Sequence, residues 1–255
     1  MDLQEVYITE PNTDLSSLKT AGTVVINAEN ANLSGLQTVE GAVYINAANA
    51  DLSSLKTAGE VYIYAPNADL SGLQTVEKKV YINGANADLS SLKTANTVII
   101  NAANANLSGL KMTRKVIINY SATNADLSSL ETVDGGVYIN AADANLSGLQ
   151  TANRVEIDAA NANLRSLKTV MEITIYDNST NTDLSGLQTV DDDITIYNAT
   201  NTDLSSLKTV GGRVVIHDYT TNADLSSLKT AGTVVIYAEN TNLSSLKTVE
   251  EVEIY

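Results

Sequence analysis

Cysteine, tryptophan and phenylalanine are missing from this chain, and histidine and proline nearly so, with one and two copies. Without cysteine there is no disulfide, no thiolate metal site and no cysteine nucleophile, and the redox compartment stays open. The 12 Tyr are the whole aromatic complement of 255 residues, so Leu, Ile, Val and Ala must build any core. Positive charge is scarce as well: 15 basic residues face 30 acidic ones, for a formal net charge of -15. Such a field repels phosphate backbones and anionic lipid surfaces, which excludes a basic nucleic-acid groove. Apolar runs are only a few residues long, too short to span a bilayer, so no membrane insertion is expected. The opening Met-Asp-Leu-Gln-Glu has neither the basic nor the apolar region of a signal peptide.

What the chain has in abundance is self-similarity. The unit Asn-Ala-Asp-Leu-Ser-Ser-Leu-Lys-Thr-Val, a short variable stretch and then Val-x-Ile recurs from end to end. Its first Leu falls at 15, 33, 52, 70, 89, 107, 127, 146, 164, 184, 204, 225 and 243, at spacings of 18 to 21 residues. A second Leu follows three residues later in every unit, from Leu18 to Leu246. A period in this range decides the architecture before any local reading does. Units carrying Ser-Ser-Leu-Lys alternate with units carrying Ser-Gly-Leu-Gln through much of the chain.

The Val-x-Ile element alternates apolar and outward positions, is rich in β-branched residues, and is bounded by Asn, Gly and Asp. It predicts a short half-buried strand, repeated fourteen times from Val6 and Ile8 to Val252 and Ile254. No stripe at helical spacing is long enough for a helix. Strands this close in sequence return in parallel register after one turn of a coil. The expected fold is all-β: one single-domain parallel β-solenoid over residues 1–255, with about 13 coils of 18–21 residues. Length varies in two places, between the second Leu and the strand and between Ile and the next Asn, and both read as surface corners.

Leu-Ser-Ser-Leu-Lys-Thr-Val-Gly-Gly-Arg-Val-Val-Ile, residues 204–216, resembles the leucine-rich repeat superfamily. The receptor L-domain type of coil is most similar, with Leu-x-x-Leu-x-x-Val-x-Gly before a short strand; residues 127–139 match comparably. Asn30, Asn49 and Asn67, each four residues after an Ile, correspond to the Asn of that repeat. The chain departs from the pattern in having no helical convex side. The resemblance implies a binding or structural role rather than catalysis, in an extracellular or cell-surface setting.

Stacked coils place equivalent residues in columns. Asn stands three before the first Leu in twelve of thirteen units, from Asn12 to Asn240, with Asp143 the exception; it reads as a buried ladder satisfying a bent backbone. Asp or Asn precedes the first Leu, so carboxylates such as Asp51, Asp69 and Asp88 recur one coil apart. Solvated turn residues and a weak calcium column are both open readings. Thr fills the position five after the first Leu in all units but that of Met112, and reads as a corner rank. His217 lies alone on an outward strand position, and no triad can be assembled around it. No catalytic residues, metal ligands or cofactor are assigned.

The outward strand face is the informative surface. One column, between Val and Ile, holds Tyr7, Tyr44, Tyr62, Tyr81 and Tyr138; the next, after Ile, holds Tyr64, Tyr176, Tyr197 and Tyr237. With Tyr255, ten of the 12 Tyr fall in these two columns, with Asn prominent beside them. Good strand propensity accounts for part of this bias, but an apolar stripe of this length marks an association surface. Two functions follow as expectations. The first is a non-catalytic scaffold that self-associates into a fibre or surface assembly, through the Tyr/Asn face or through uncapped ends. The second is an adhesion or ligand-binding module that takes a glycan or a protein on the same face.

Overall fold

The computed structural model describes residues 2–238 and 241–255. It is a parallel β-solenoid, with no helix among the described residues and hence none long and apolar enough to cross a membrane. The chain divides into two compact units, the first ending at Leu130 and the second beginning at Glu131.

The first unit carries β1 (Asp2–Ile8), β2 (Thr20–Ile26), β3 (Thr38–Ile45), β4 (Thr57–Ile63), β5 (Thr75–Ile82), β6 (Thr94–Ile100) and β7 (Met112–Ile118), paired in parallel in sequence order. The second carries β8 (Thr132–Ile139), β9 (Thr151–Ile157), β10 (Thr169–Ile175), β11 (Thr189–Val190), β12 (Ile194–Ile196), β13 (Thr209–Val210), β14 (Arg213–Ile216), β15 (Thr230–Ile236) and β16 (Thr248–Ile254). β11 with β12, and β13 with β14, are single strands interrupted at Asp191–Asp193 and at Gly211 and Gly212. Each unit therefore holds seven strand levels, and equivalent residues pair level by level, as Ile175 with Ile196 and Ile196 with Ile216.

The core follows from the repeat. Val and Ile of the strands, the Leu pair and the small residue after Thr point inward, and Leu33, Leu36, Leu52, Leu55, Leu164 and Leu167 are fully buried. Each buried Leu contributes roughly 1.5–3 kcal/mol. Opposite the sheet, the Asp/Asn column forms a ladder of single parallel bridges, Asp51 to Asp69 to Asp88 in the first unit and Asn163 to Asp183 to Asp203 in the second. Between ladder and strand, Leu-x-x-Leu closes one tight turn, with the Leu18 N–H donating to the Leu15 carbonyl at 2.9 Å. At the Gly of the Ser-Gly units the coils approach closely: a Cβ at Gly35, Gly72 or Gly109 would run into the carbonyl of Ser16, Ser53 or Ser90 in the preceding coil.

Four expectations are corrected. The variable stretch before Val-x-Ile is not a surface corner: it lies inside the strand, and the extra residue forms a β-bulge, as between Val39 and Ala42 or Val133 and Gly136. The Thr rank is likewise no corner; Thr opens every strand level except those that begin at Asp2 and Met112, it faces outward, and Thr57 bonds Thr38 hydroxyl to hydroxyl at 3.3 Å. The Asn column is exposed rather than buried. Its members sit in the left-handed region, with φ of 58° at Asn30, 61° at Asn49 and 58° at Asn104, a turn conformation that Asn tolerates better than β-branched residues. Their side chains still form the ladder, Asn49 Nδ2 donating to Asn30 Oδ1 at 3.1 Å and Asn201 Nδ2 to Asn181 Oδ1 at 3.0 Å; Asn240 lies outside the described residues. The connections after Ile that run to five residues in place of the usual three, Asn119–Thr123, Tyr176–Thr180 and His217–Thr221, are only half superficial. Tyr120 and Tyr219 swing out, and Ala122, Ser179 and Thr220 return to buried sites, where the Ser179 hydroxyl donates to the Ile157 carbonyl at 2.8 Å.

Candidate functional site: the outward aromatic face

Period two sends the residue between Val and Ile to the outside, and parallel in-register pairing then aligns these residues from level to level. In the first unit Val25, Tyr44, Tyr62, Tyr81, Ile99 and Ile117 form one half-exposed stripe. Tyr44 and Tyr62 stack with ring centroids 4.9 Å apart and planes within 8°. Tyr64, from the neighbouring column, joins at 6.5 Å from Tyr62 and 5.7 Å from Tyr81, so four of the expected residues form one cluster. The Lys79 ammonium lies 5.7 Å from the Tyr62 ring centroid. The Tyr62 hydroxyl donates to Glu60 Oε2 at 2.7 Å, and this bond, reinforced by desolvation and the Glu60 charge, raises the phenol to about 12.

The second unit carries a longer stack in the column after Ile. Tyr176 and Tyr197 lie 5.7 Å apart, Tyr197 and His217 4.2 Å, His217 and Tyr237 5.7 Å, and Tyr237 and Tyr255 4.8 Å. All four interplanar angles are between 5° and 16°. Desolvation first, and then the Glu156 charge, raise the Tyr176 phenol. The Tyr255 hydroxyl donates to Glu253 Oε2 at 2.8 Å, which raises that phenol as well. Beside the upper end of the stack, Arg154 pairs with Glu156 at 2.8 Å and reaches Glu172 at 3.6 Å.

Two expected residues are placed differently. Tyr7 is in register with Val25, is 62% exposed and belongs to neither stack. Tyr138 lies back over Gly136, where an added Cβ would meet its ring. The outward face is also less open than alternation implies: Val235, between in-register Val215 and Glu253, is only 2% exposed.

His217 and Tyr255 fall in the outward columns but outside the expected binding residues, and Glu60 and Glu253 were not expected to pair with a tyrosine, although the signal was present. His217 and Tyr255 continue the aromatic run of their column, and Glu60 and Glu253 stand two residues before a Tyr, hence on the same strand face. The Asp column has a local task. Each Oδ1 accepts the N–H two residues on, as Ser53 to Asp51 at 3.0 Å and Ser226 to Asp224 at 2.9 Å, and the Asn members do the same. Among the described residues no cluster of three or more His, Asp or Glu is placed to hold a metal. A cleft of about 530 Å³ is lined by Tyr219, Thr220 and Tyr237 among others.

Comparison of the chain with protein-family models, curated proteins and solved structures finds no match.

Proposed function

We propose that the chain is a non-catalytic structural scaffold that self-associates sheet on sheet through its outward Tyr, Val and Ile face. The ring stacking carries this reading. In both clusters the faces of the inner rings are taken up by neighbouring rings of the same chain, so edges and hydroxyls are what a partner meets. A glycan that binds by laying its sugar rings on aromatic faces finds few faces free, whereas a second sheet needs only a flat, half-apolar ridge. The inward Leu pairs and the Asn turn support a coil like that of leucine-rich repeats of the receptor L-domain type. By analogy with that architecture the chain is read as a scaffold rather than an enzyme. The partner is a second copy; nucleic acid and membrane interior have no part in this reading.

The test replaces Tyr44, Tyr62 and Tyr81 together by Ser and follows assembly size against concentration by light scattering and negative-stain imaging. The expected result is loss of lateral assemblies with an unchanged circular-dichroism spectrum, each ring contributing roughly 1–3 kcal/mol to a packed interface. Wild-type protein that stays monomeric at high concentration and high salt overturns self-assembly. If that monomer binds a glycan or another protein and the triple variant does not, recognition is the function of this face.

A further inference from the structure

The two shortest ring separations between tyrosines in the stacks are Tyr44–Tyr62 at 4.9 Å and Tyr237–Tyr255 at 4.8 Å. Each pair joins consecutive coils, and each contains the tyrosine whose hydroxyl donates to a carboxylate two residues earlier, Tyr62 to Glu60 and Tyr255 to Glu253. Close approach and a built-in proton acceptor thus coincide twice, once in each unit. The next tyrosine pairs, Tyr64 with Tyr81 and Tyr176 with Tyr197, lie at 5.7 Å; neither contains Tyr62 or Tyr255, and Tyr197 is covered on its other side by His217 at 4.2 Å.

We propose that Tyr44–Tyr62 and Tyr237–Tyr255 are oxidative cross-linking sites, at which a one-electron oxidant of the haem-peroxidase class, driven by hydrogen peroxide, joins neighbouring coils through intramolecular dityrosine. Each tyrosine of a pair gives one electron to the oxidised haem. The phenolic proton of Tyr62 or Tyr255 passes to Glu60 or Glu253, and that of Tyr44 or Tyr237 to water. Two neutral phenoxyl radicals result. Their Cε carbons, ortho to oxygen, form one C–C bond, and the hydrogen on each coupled carbon moves through solvent to the phenolic oxygen as aromaticity returns. Two tyrosines and one hydrogen peroxide give one dityrosine and two waters, so electrons and protons balance. The carboxylate matters because removing an electron from a phenol makes its proton strongly acidic, and an acceptor already in the hydrogen bond takes it without waiting for solvent. The lower link fastens β16, whose Ile254 is 71% exposed, to β15. The link lies within one chain and does not require that copies associate.

In the test, the full chain, dilute enough to be monomeric, is treated with haem peroxidase and limiting hydrogen peroxide. The monomer band from a denaturing gel is digested with trypsin, which cuts at Lys56 and at Lys247 and so separates the members of each pair. Peptide mapping is expected to find the two linked pairs, each lighter by two hydrogens than its separate peptides, with blue dityrosine fluorescence. Tyr44→Phe and Tyr237→Phe should each abolish one link and spare the other. Glu60→Gln and Glu253→Gln, which keep shape and remove the base, should lower the matching yield severalfold. Links spread evenly to Tyr7 and Tyr219, the latter 82% exposed, would show that exposure alone governs oxidation and overturn the assignment. So would monomer free of links, or yields unchanged in the two Gln variants.

Discussion

At the scale of single residues, the polar columns brace the backbone, and they do so through their own turns. The carboxyls of Asp14 and Asp224 are held below the usual range by hydrogen bonds from Ser16 and Ser226, chiefly the backbone N–H for Asp14 and the side chain for Asp224. A depressed native value means stability that is present above the ordinary carboxylate value near pH ~4 and lost as pH falls through the native one. Asn at the same place already makes the same turn at Asn32 and Asn106 without a titrating proton. Replacing Asp224 by Asn should therefore leave the urea midpoint at neutral pH nearly unchanged and flatten its fall in acid; an acid limb as steep as wild type would contradict this. Thr182 and Thr202 present the opposite case. They fill the buried position that is Ala144 and Ala162 in earlier coils of the same unit, and their hydroxyls have no hydrogen-bond partner. Thr182→Val and Thr202→Val keep the shape and remove the orphaned oxygen, so each should raise stability by about 1 kcal/mol in chemical denaturation.

For the strand as an element, face assignment is the governing constraint, because a shift of one residue exchanges inside and outside. The bulges show where the repeat absorbs an extra residue without that exchange: β8 sets Asp134 and Gly135 against one residue of β9, and pairing resumes in phase at Gly136 with Arg154. Deleting Gly135 should give a strand of the length of β9 and cost less than about 1 kcal/mol. Deleting Tyr138, two residues inside the resumed pairing, would turn Ile139 outward and should cost more than about 3 kcal/mol or abolish folding. Circular dichroism and thermal unfolding of the two deletion variants check this directly, and equal damage from both would show that the bulge residue is not dispensable. The same logic accounts for the insertion loops, which leave the strand register alone and return Ala122, Ser179 and Thr220 to the interior.

Taken as a whole, the molecule joins an apolar interior to a surface of high negative charge. A net charge of -15 opposes both compaction and association of copies. Raising the ionic strength from about 0.01 M to about 0.15 M shortens the screening length from roughly 30 Å to 8 Å. The thermal midpoint should therefore rise with salt over that range, and lateral association through the tyrosine face should strengthen with it. Scanning calorimetry and sedimentation at the two ionic strengths measure these effects. A midpoint that falls with salt would show that attractive ion pairs such as Arg154 with Glu156 outweigh the repulsion.

The sequence by itself determined the parallel stacking, the inward Leu, Val and Ile, and the concentration of tyrosine on one face. Those features follow from period and alternation, which are properties of the order of residues. Tertiary structure decided what the columns do. Left-handed φ, not burial, accounts for the Asn column, because the turn's backbone is fixed only when the coil closes. The variable stretch became an in-strand bulge because parallel pairing must resume in phase on both sides of it. The tyrosines became two ring stacks, with His217 inside one, Glu60 bound to the central Tyr62 of the other and Glu253 to the terminal Tyr255, since ring orientation depends on side-chain torsions that only neighbouring coils select.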